Sequence, residues 1–336
     1  MANEHLKSLY AVLESTTDLL HKQLKGSYLE AATESGDDLL AGQITHQDGL
    51  PDAAATEKLA AQFAQIDLAD YTPEEIREAL QLILVKVIQV DGVEPNKQVT
   101  PDLMAGLATF MATTFLKHVP ATVTVADLAA GSGNLLFAVM NRLQAAFEVT
   151  VRGIAVDNDP MLLAFADMSS RLQRLDATLY HQDALAPLAF SGVDVVVSDL
   201  PVGYYPLDER AKQFETAATS GHSYAHHLLI EQSMAALAPG GLGLFFVPSN
   251  VFRSEEAAGL TSWLTHRMHF QGLLNLPSTL FATQAAQKSL LVLQKPGPGV
   301  QQVRQVLLGT FPDLADHPAF SAFLADVKNW SATNLV

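Results

Sequence analysis

Residues 123–134 read VTVADLAAGSGN, and residues 193–206 read VDVVVSDLPVGYYP. Each is a short apolar run that ends on an aspartate, Asp127 or Asp199, and passes into a glycine-bearing turn. Runs of this length, bounded by polar and Gly/Pro signals, read as strands. VRGIAVD (151–157), TLYHQ (178–182) and GLGLFFVP (241–248) repeat the pattern. Between them NLLFAVMNRLQAAF (134–147), PMLLAFADMSSRLQ (160–173), HSYAHHLLIEQSMAAL (222–237) and SEEAAGLTSWLTHRM (254–268) carry helical period. Strands alternating with helices predict an α/β fold with a doubly wound, mostly parallel sheet. FQGLLNLP (270–277) and KSLLVLQK (288–295) have no helical pattern between them and are expected to form an antiparallel pair at one sheet edge. After the turn PGPG (296–299) the tail is weakly patterned.

Upstream, residues 1–95 read as a helical domain. EHLKSLYAVLESTTDLLHKQL (4–24) places Leu6, Leu9, Leu13, Leu19 and Leu20 on one stripe, and Ser27-Tyr28-Leu29-Glu30 begins a second helix. Thr72-Pro73-Glu74-Glu75 supplies an N-cap, a proline at N1 and an acid at N3, for a helix running to about Val90. GQITHQDGLPDAAATEK (42–58) between them reads as loop. The domain is expected to serve as a cap or as a dimerisation element joining two copies through these helices. Residues 96–336 then form the α/β domain.

The 336 residues are 49% hydrophobic and contain no cysteine, which excludes a disulfide scaffold, a thiolate nucleophile and Cys-ligated metal. The N-terminus lacks the basic and apolar regions of a secretory signal, and ALQLILVKVIQV (79–90) is broken by Lys86, short of the roughly 18 to 20 apolar residues of a membrane span. A cytoplasmic protein is expected. The net charge is −16, and residues 1–95 hold most of it, with 17 acids against 6 bases. Such a balance disfavours bulk electrostatic binding of nucleic acid.

In sheets of this kind ligands sit outside the carboxyl ends of the strands. Gly131-Ser132-Gly133-Asn134 after the first strand is either a structural turn or a loop that brings backbone N–H groups to a ligand. The full dinucleotide fingerprint is absent, because Leu136 stands in the third glycine's place. Asp157 ends the second strand and suits the ribose hydroxyls of an adenosine. Its alternative as a helix cap falls better to Asp159, which precedes Pro160. Asp183, after the third strand, adds a carboxylate at the same rim.

Together with Asp199-Leu200-Pro201-Val202-Gly203-Tyr204-Tyr205, these residues resemble the class I S-adenosylmethionine-dependent methyltransferases, and within them the adenine-N6 DNA methylases: the modification subunits of type I restriction systems and their small bacterial homologues. The similarity spans about residues 96–295. It takes in Gln98-Val-Thr100-Pro101, DLAAGSGNLL, LAPGGLGLFFVPSNVF (237–252) and LPSTLFATQAAQKSLLVLQ (276–294). It implies S-adenosylmethionine as cofactor, held by Thr100, Asp127, Gly131, Ser132, Gly133, Asn134, Asp157, Asn158, Asp183 and Ala184. It implies N-methylation at Asp199 and Pro201, with Tyr204 and Tyr205 as candidate faces for a stacked acceptor. The family's tetrapeptide is Asn or Asp, Pro, Pro, aromatic; here Leu200 and Val202 replace the first proline and the aromatic. The acceptor carries an amino nitrogen, and the isolated chain is expected to bind nucleic acid only weakly. The rival expectation is a regulatory or scaffold protein that keeps the cofactor and has lost transfer.

Other chemistries find no support. Neither GxxxxGK[ST] nor GxSxG occurs. His222, His226 and His227 lack a nearby acid of HExxH type and read as residues of a surface or first-turn cluster, so no metal site is expected.

Overall fold

The computed structural model describes residues 2–92, 99–254 and 256–335. The helical region comprises α1 (Ala2–Leu24), α2 (Tyr28–Ala41), α3 (Ala53–Phe63) and α4 (Pro73–Asp91). Both α2 and α4 start on capping boxes, Ser27 with Glu30 and Thr72 with Glu75. These satisfy first-turn N–H groups that the helix itself leaves unpaired. The loop expected over 42–58 ends earlier than its composition suggested. Asp52 accepts from Ala55 N at 2.8 Å and starts α3 inside it, where the alanine-rich run has strong helix propensity. The expected boundary between residues 95 and 96 lies outside the described residues, as does Gln98.

The stripe on α1 is used within the chain. Leu9 and Leu13 are buried with Tyr28, Ile76, Leu80 and Ile83. The same apolar cluster takes in Phe165, Met168 and Leu172 of the α/β region, so the helices are seated on it as a cap.

That region runs α5 (Asp102–Phe115), β1 (Thr122–Asp127), α6 (Asn134–Phe147), β2 (Thr150–Asp157), α7 (Pro160–Leu172), β3 (Asp176–His181), β4 (Val193–Asp199), α8 (Asp208–Ala211), α9 (Ala225–Ala236), β5 (Leu237–Pro248), α10 (Ala257–Arg267), β6 (His269–Asn275), β7 (Lys288–Gln294), β8 (Leu307–Thr310) and α11 (His317–Asn334). One sheet has the order β3-β2-β1-β4-β5-β7-β6-β8. Among the described strands only β7 runs antiparallel, against its neighbours β5 and β6. The expected pair therefore forms, but one strand in from the edge. The tail supplies β8, parallel to β6, and α11, whose Phe320, Phe323 and Trp330 pack on the core.

Alternation along the strands divides the core between two faces. Val195 and Val197 of β4 join Leu136, Leu143 and Met111 on one side, whereas Val196 meets Leu228 and Leu260 on the other. The chain runs outward from β1 through β2 to β3, then returns to β4 on the far side of β1. The carboxyl ends of β1 and β4 thus flank the topological switch point, where a crevice opens. Among the described residues no helix is long and apolar enough to cross a membrane.

Candidate functional site

At that crevice the chain leaves β1 through a turn that needs both glycines. Gly131 has φ +51° and Gly133 φ +76°, in the left-handed region that side chains disfavour. A Cβ on Gly133 would also lie 2.4 Å from the Phe137 ring. Gly131 N donates to Asp157 Oδ2 at 2.7 Å, and Asp159 N donates to Asp157 Oδ1 at 2.8 Å. The Asp159 side chain caps α7 through Met161 N and Leu162 N, which leaves Asp157 to tie the glycine loop to the end of β2. Ser132 and Asp159 border a cleft of about 310 Å3 that is also lined by Leu84 and Val87 of α4.

Asp127 lies beneath the loop, 1% exposed, where it accepts from Ser198 Oγ at 2.7 Å and Ala129 N at 3.0 Å. Burial raises its carboxyl most, those two bonds pull it down and the nearby charges of Asp157 and Asp199 raise it, so that it is pushed up to about 7 in all. Asp127, Asp157 and Asp199, from three strand ends, thus lie close to one another at the crevice.

Asn134 opens α6 and is buried; its Nδ2 donates to Thr100 O at 2.9 Å. Thr100 Oγ1 donates in turn to Asp199 Oδ2 at 3.0 Å. The other oxygen of Asp199 is paired with the Lys288 ammonium. From the helical domain, Arg77 is 1% exposed and donates to Asn134 Oδ1 at 3.0 Å, with Glu74 and Asp102 as its counter-ions. A polar chain therefore runs Arg77, Asn134, Thr100, Asp199, Lys288, through the helical domain, the glycine loop, the end of β4 and the start of β7. Neither Arg77 nor Lys288 was singled out from sequence. One signal for Lys288 was present: the first residue of an antiparallel strand sits at the carboxyl rim of its parallel neighbours.

The loop after Asp199 explains one departure from the methylase tetrapeptide. Leu200 N donates to Phe246 O at 3.1 Å, a bond proline cannot make, and the Leu200 side chain is fully buried. Pro201 follows half-buried, and Val202, in the aromatic's place, is exposed. Tyr204 is exposed and stacked on Tyr224, with ring centroids 4.7 Å apart and planes 11° from parallel. Tyr205 is buried, and its hydroxyl donates to Asp183 Oδ2 at 2.5 Å, so its ring offers no open face. The Arg210 guanidinium shares that oxygen, while Asp183 Oδ1 accepts from Leu185 N at 2.9 Å. Asp183, Tyr205 and Arg210 are thus bonded together with Ala184 buried beside them, and the Asn158 carbonyl contacts the His181 ring at 3.3 Å.

The histidines separate. His222 lies outside α9 and pairs with Asp208 at 3.0 Å. His226 and His227 occupy the first turn of α9, as expected, but are buried rather than on the surface.

The glycine loop, Asp157 and the polar end of β4 converge at one rim. The model of the N-6 DNA Methylase family matches residues 56–309, and that of the YtxK N-terminal helical domain matches residues 7–88. The chain belongs to the N-6 DNA methylase family. It is similar to the uncharacterized protein YtxK of Bacillus subtilis (strain 168), 36% identical over 330 residues, which is 98% of each chain. A Listeria monocytogenes protein provisionally assigned as a class I S-adenosylmethionine-dependent methyltransferase superposes with a TM-score of 0.90 at 38% identity, over 98% of this chain and 99% of that one. The methyltransferase subunit of a type I restriction-modification system from Streptococcus thermophilus superposes with a TM-score of 0.67 at 17% identity, over 96% and 73% of the two chains; that likeness is one of fold. The fold is the class I methyltransferase fold with a YtxK-like helical domain before it.

Proposed function

We propose that this methylase-family chain is an S-adenosylmethionine-dependent N-methyltransferase. The observation that carries the reading is the junction at the β1/β4 crevice: a positive-φ glycine loop bound to Asp157, with Asp199 joined to that loop through Thr100 and Asn134. The residues fit the cofactor. Asp157 spends one hydrogen bond on each oxygen, and a carboxylate has about four acceptor positions, so two remain for the hydroxyls of a ribose. Asn158, Asp183 and Ala184 would border its adenine, and Gly131, Ser132, Gly133 and Thr100 its amino-acid end. S-adenosylmethionine bound there supplies a methyl group activated by the sulfonium charge.

Asp199 and a neighbouring backbone carbonyl would accept the N–H groups of the acceptor and aim its lone pair, catalysis by positioning rather than by strong base. Pro201 fixes the turn beyond, and Tyr204 is the exposed ring nearest along the chain. Residues 1–95 act in this reading as a cap held onto a methyltransferase domain, 96–336. With a charge of −16, nucleic acid is a weak ligand of the isolated chain.

A second reading, a cofactor-holding protein without transfer, is favoured by the engagement of both Asp199 oxygens and by Val202. Methyl-labelled S-adenosylmethionine, incubated with adenine-containing single- and double-stranded DNA and with deproteinised small-molecule fractions, separates the two. Label entering an acceptor with the wild type but not with Asp199→Ala supports transfer. Tight cofactor binding without labelling of any fraction supports the second reading.

A further inference from the structure

Lys288 is the first residue of β7 and pairs in register with Pro248 at the carboxyl end of β5. Because β7 runs against its neighbours, this places a lysine at the rim where the other strands end. Its side chain is 23% exposed and that of Asp199 is 16% exposed, so the pair is partly desolvated and lies within the crevice. Thr100 holds the second carboxylate oxygen, which fixes Asp199 from two elements far apart in sequence.

A bare carboxylate at this point would favour the wrong partners. It would attract protonated amines, which have no lone pair to accept a methyl group, and it would hold a sulfonium as its counter-ion. An ammonium already paired with Asp199 cancels that charge and leaves lone pairs that accept hydrogen bonds; a second cation is then opposed by like charge. We propose that Lys288 is a positioning residue of the acceptor site, which neutralises Asp199 so that the site disfavours cationic occupants and takes an amine that is uncharged at neutral pH. The inference rests on the methyltransferase reading above and adds a residue and a selection rule to it.

The test compares a charged and a neutral form of the same ligand. Dissociation constants for S-adenosylmethionine and S-adenosylhomocysteine are measured by calorimetry on the full chain for the wild type, Lys288→Met, Lys288→Gln, Lys288→Arg and the double variant Lys288→Met/Asp199→Asn. Loss of the ammonium leaves Asp199 uncompensated, so Lys288→Met and Lys288→Gln should shift preference toward the cationic ligand by about tenfold. Lys288→Arg and the double variant should restore the wild-type ratio, and added salt should shrink the shift. Equal weakening of both ligands, or an unchanged ratio, would overturn the proposal and leave Lys288 a structural residue. Failure of the wild type to bind either ligand would instead refute the methyltransferase reading, and this inference with it.

Discussion

Arg77 and Asn134 meet across 57 residues of chain, guanidinium to amide oxygen at 3.0 Å, and join the helical domain to the first residue of the helix that follows the glycine loop. Arg77 is sealed from solvent, whereas its acidic partners Glu74 and Asp102 are partly exposed. The burial that disfavours its charge is outweighed by those two acids, which hold the guanidinium in its protonated form.

Arg77→Met should therefore destabilise the chain by about 3 kcal/mol, the low end for breaking a buried ion pair because the orphaned acids can still reach water. Asn134→Ala should remove about 1–3 kcal/mol, since it also strips the bond to Thr100 O. As the two side chains share a bond, the double variant should fall short of the sum by about 1 kcal/mol in urea unfolding. Strict additivity would show that the contact carries no energy.

Gly133→Ala tests the loop itself. It demands a left-handed φ of an L-residue and drives a methyl group into the Phe137 ring. A loss of about 2 kcal/mol or more is expected. Gly131→Ala meets only Leu162, at 3.9 Å, and should cost about 1 kcal/mol through φ alone. Equal losses at both sites, by thermal or denaturant unfolding, would contradict the packing argument.

The pH dependence follows from groups on opposite sides of the sheet. Burial depresses His226 to about 3, with the His227 charge acting the same way, and His227 itself to about 4, from 6.5. Between pH 6.5 and 4 the unfolded chain takes up protons that the folded chain refuses, so these histidines remove stability as pH falls. Asp127, raised to about 7, acts in the reverse sense: its contribution is complete below about 4 and is lost as pH rises through 7. Asp127→Asn should therefore steepen the loss of stability on acidification over pH 4–7, by up to about 1.4 kcal/mol per pH unit. Replacing both histidines by Phe should flatten it. Unfolding curves at pH 5, 6, 7 and 8 check both signs.

Nucleic acid gives a separate expectation. At physiological salt the isolated chain should bind a duplex more weakly than about 1 μM, because a polyanion approaching a charge of −16 finds few cations to replace its counterions. Fluorescence anisotropy at two salt concentrations measures this. Tight binding with a steep salt slope would identify a basic groove and revive DNA as acceptor.

Local chemistry made much of this molecule legible in its sequence. The capping boxes at Ser27 and Thr72, the Asp159-Pro160 start of α7, and the polar strand ends at Asp127, Asp157 and Asp199 are each set by neighbours a few residues away. Contacts fixed by strand order were not legible. Lys288 reaches Asp199 only because β7 inserts antiparallel between β5 and β6, and Tyr205 is held in a buried position by a bond to Asp183 on another strand's exit. β8 was missed because a four-residue strand followed by a polar-rich helix carries almost no period.

Titration of S-adenosylhomocysteine into the wild-type chain and into Asp157→Ala, followed by calorimetry, tests the cofactor site most directly. The predicted result is one site per chain on the wild type and a loss of affinity of tenfold or more in the variant, as removal of a charged acceptor costs about 1.5–3 kcal/mol per hydrogen bond. No heat and no rise in melting temperature with the wild type at millimolar ligand would contradict it.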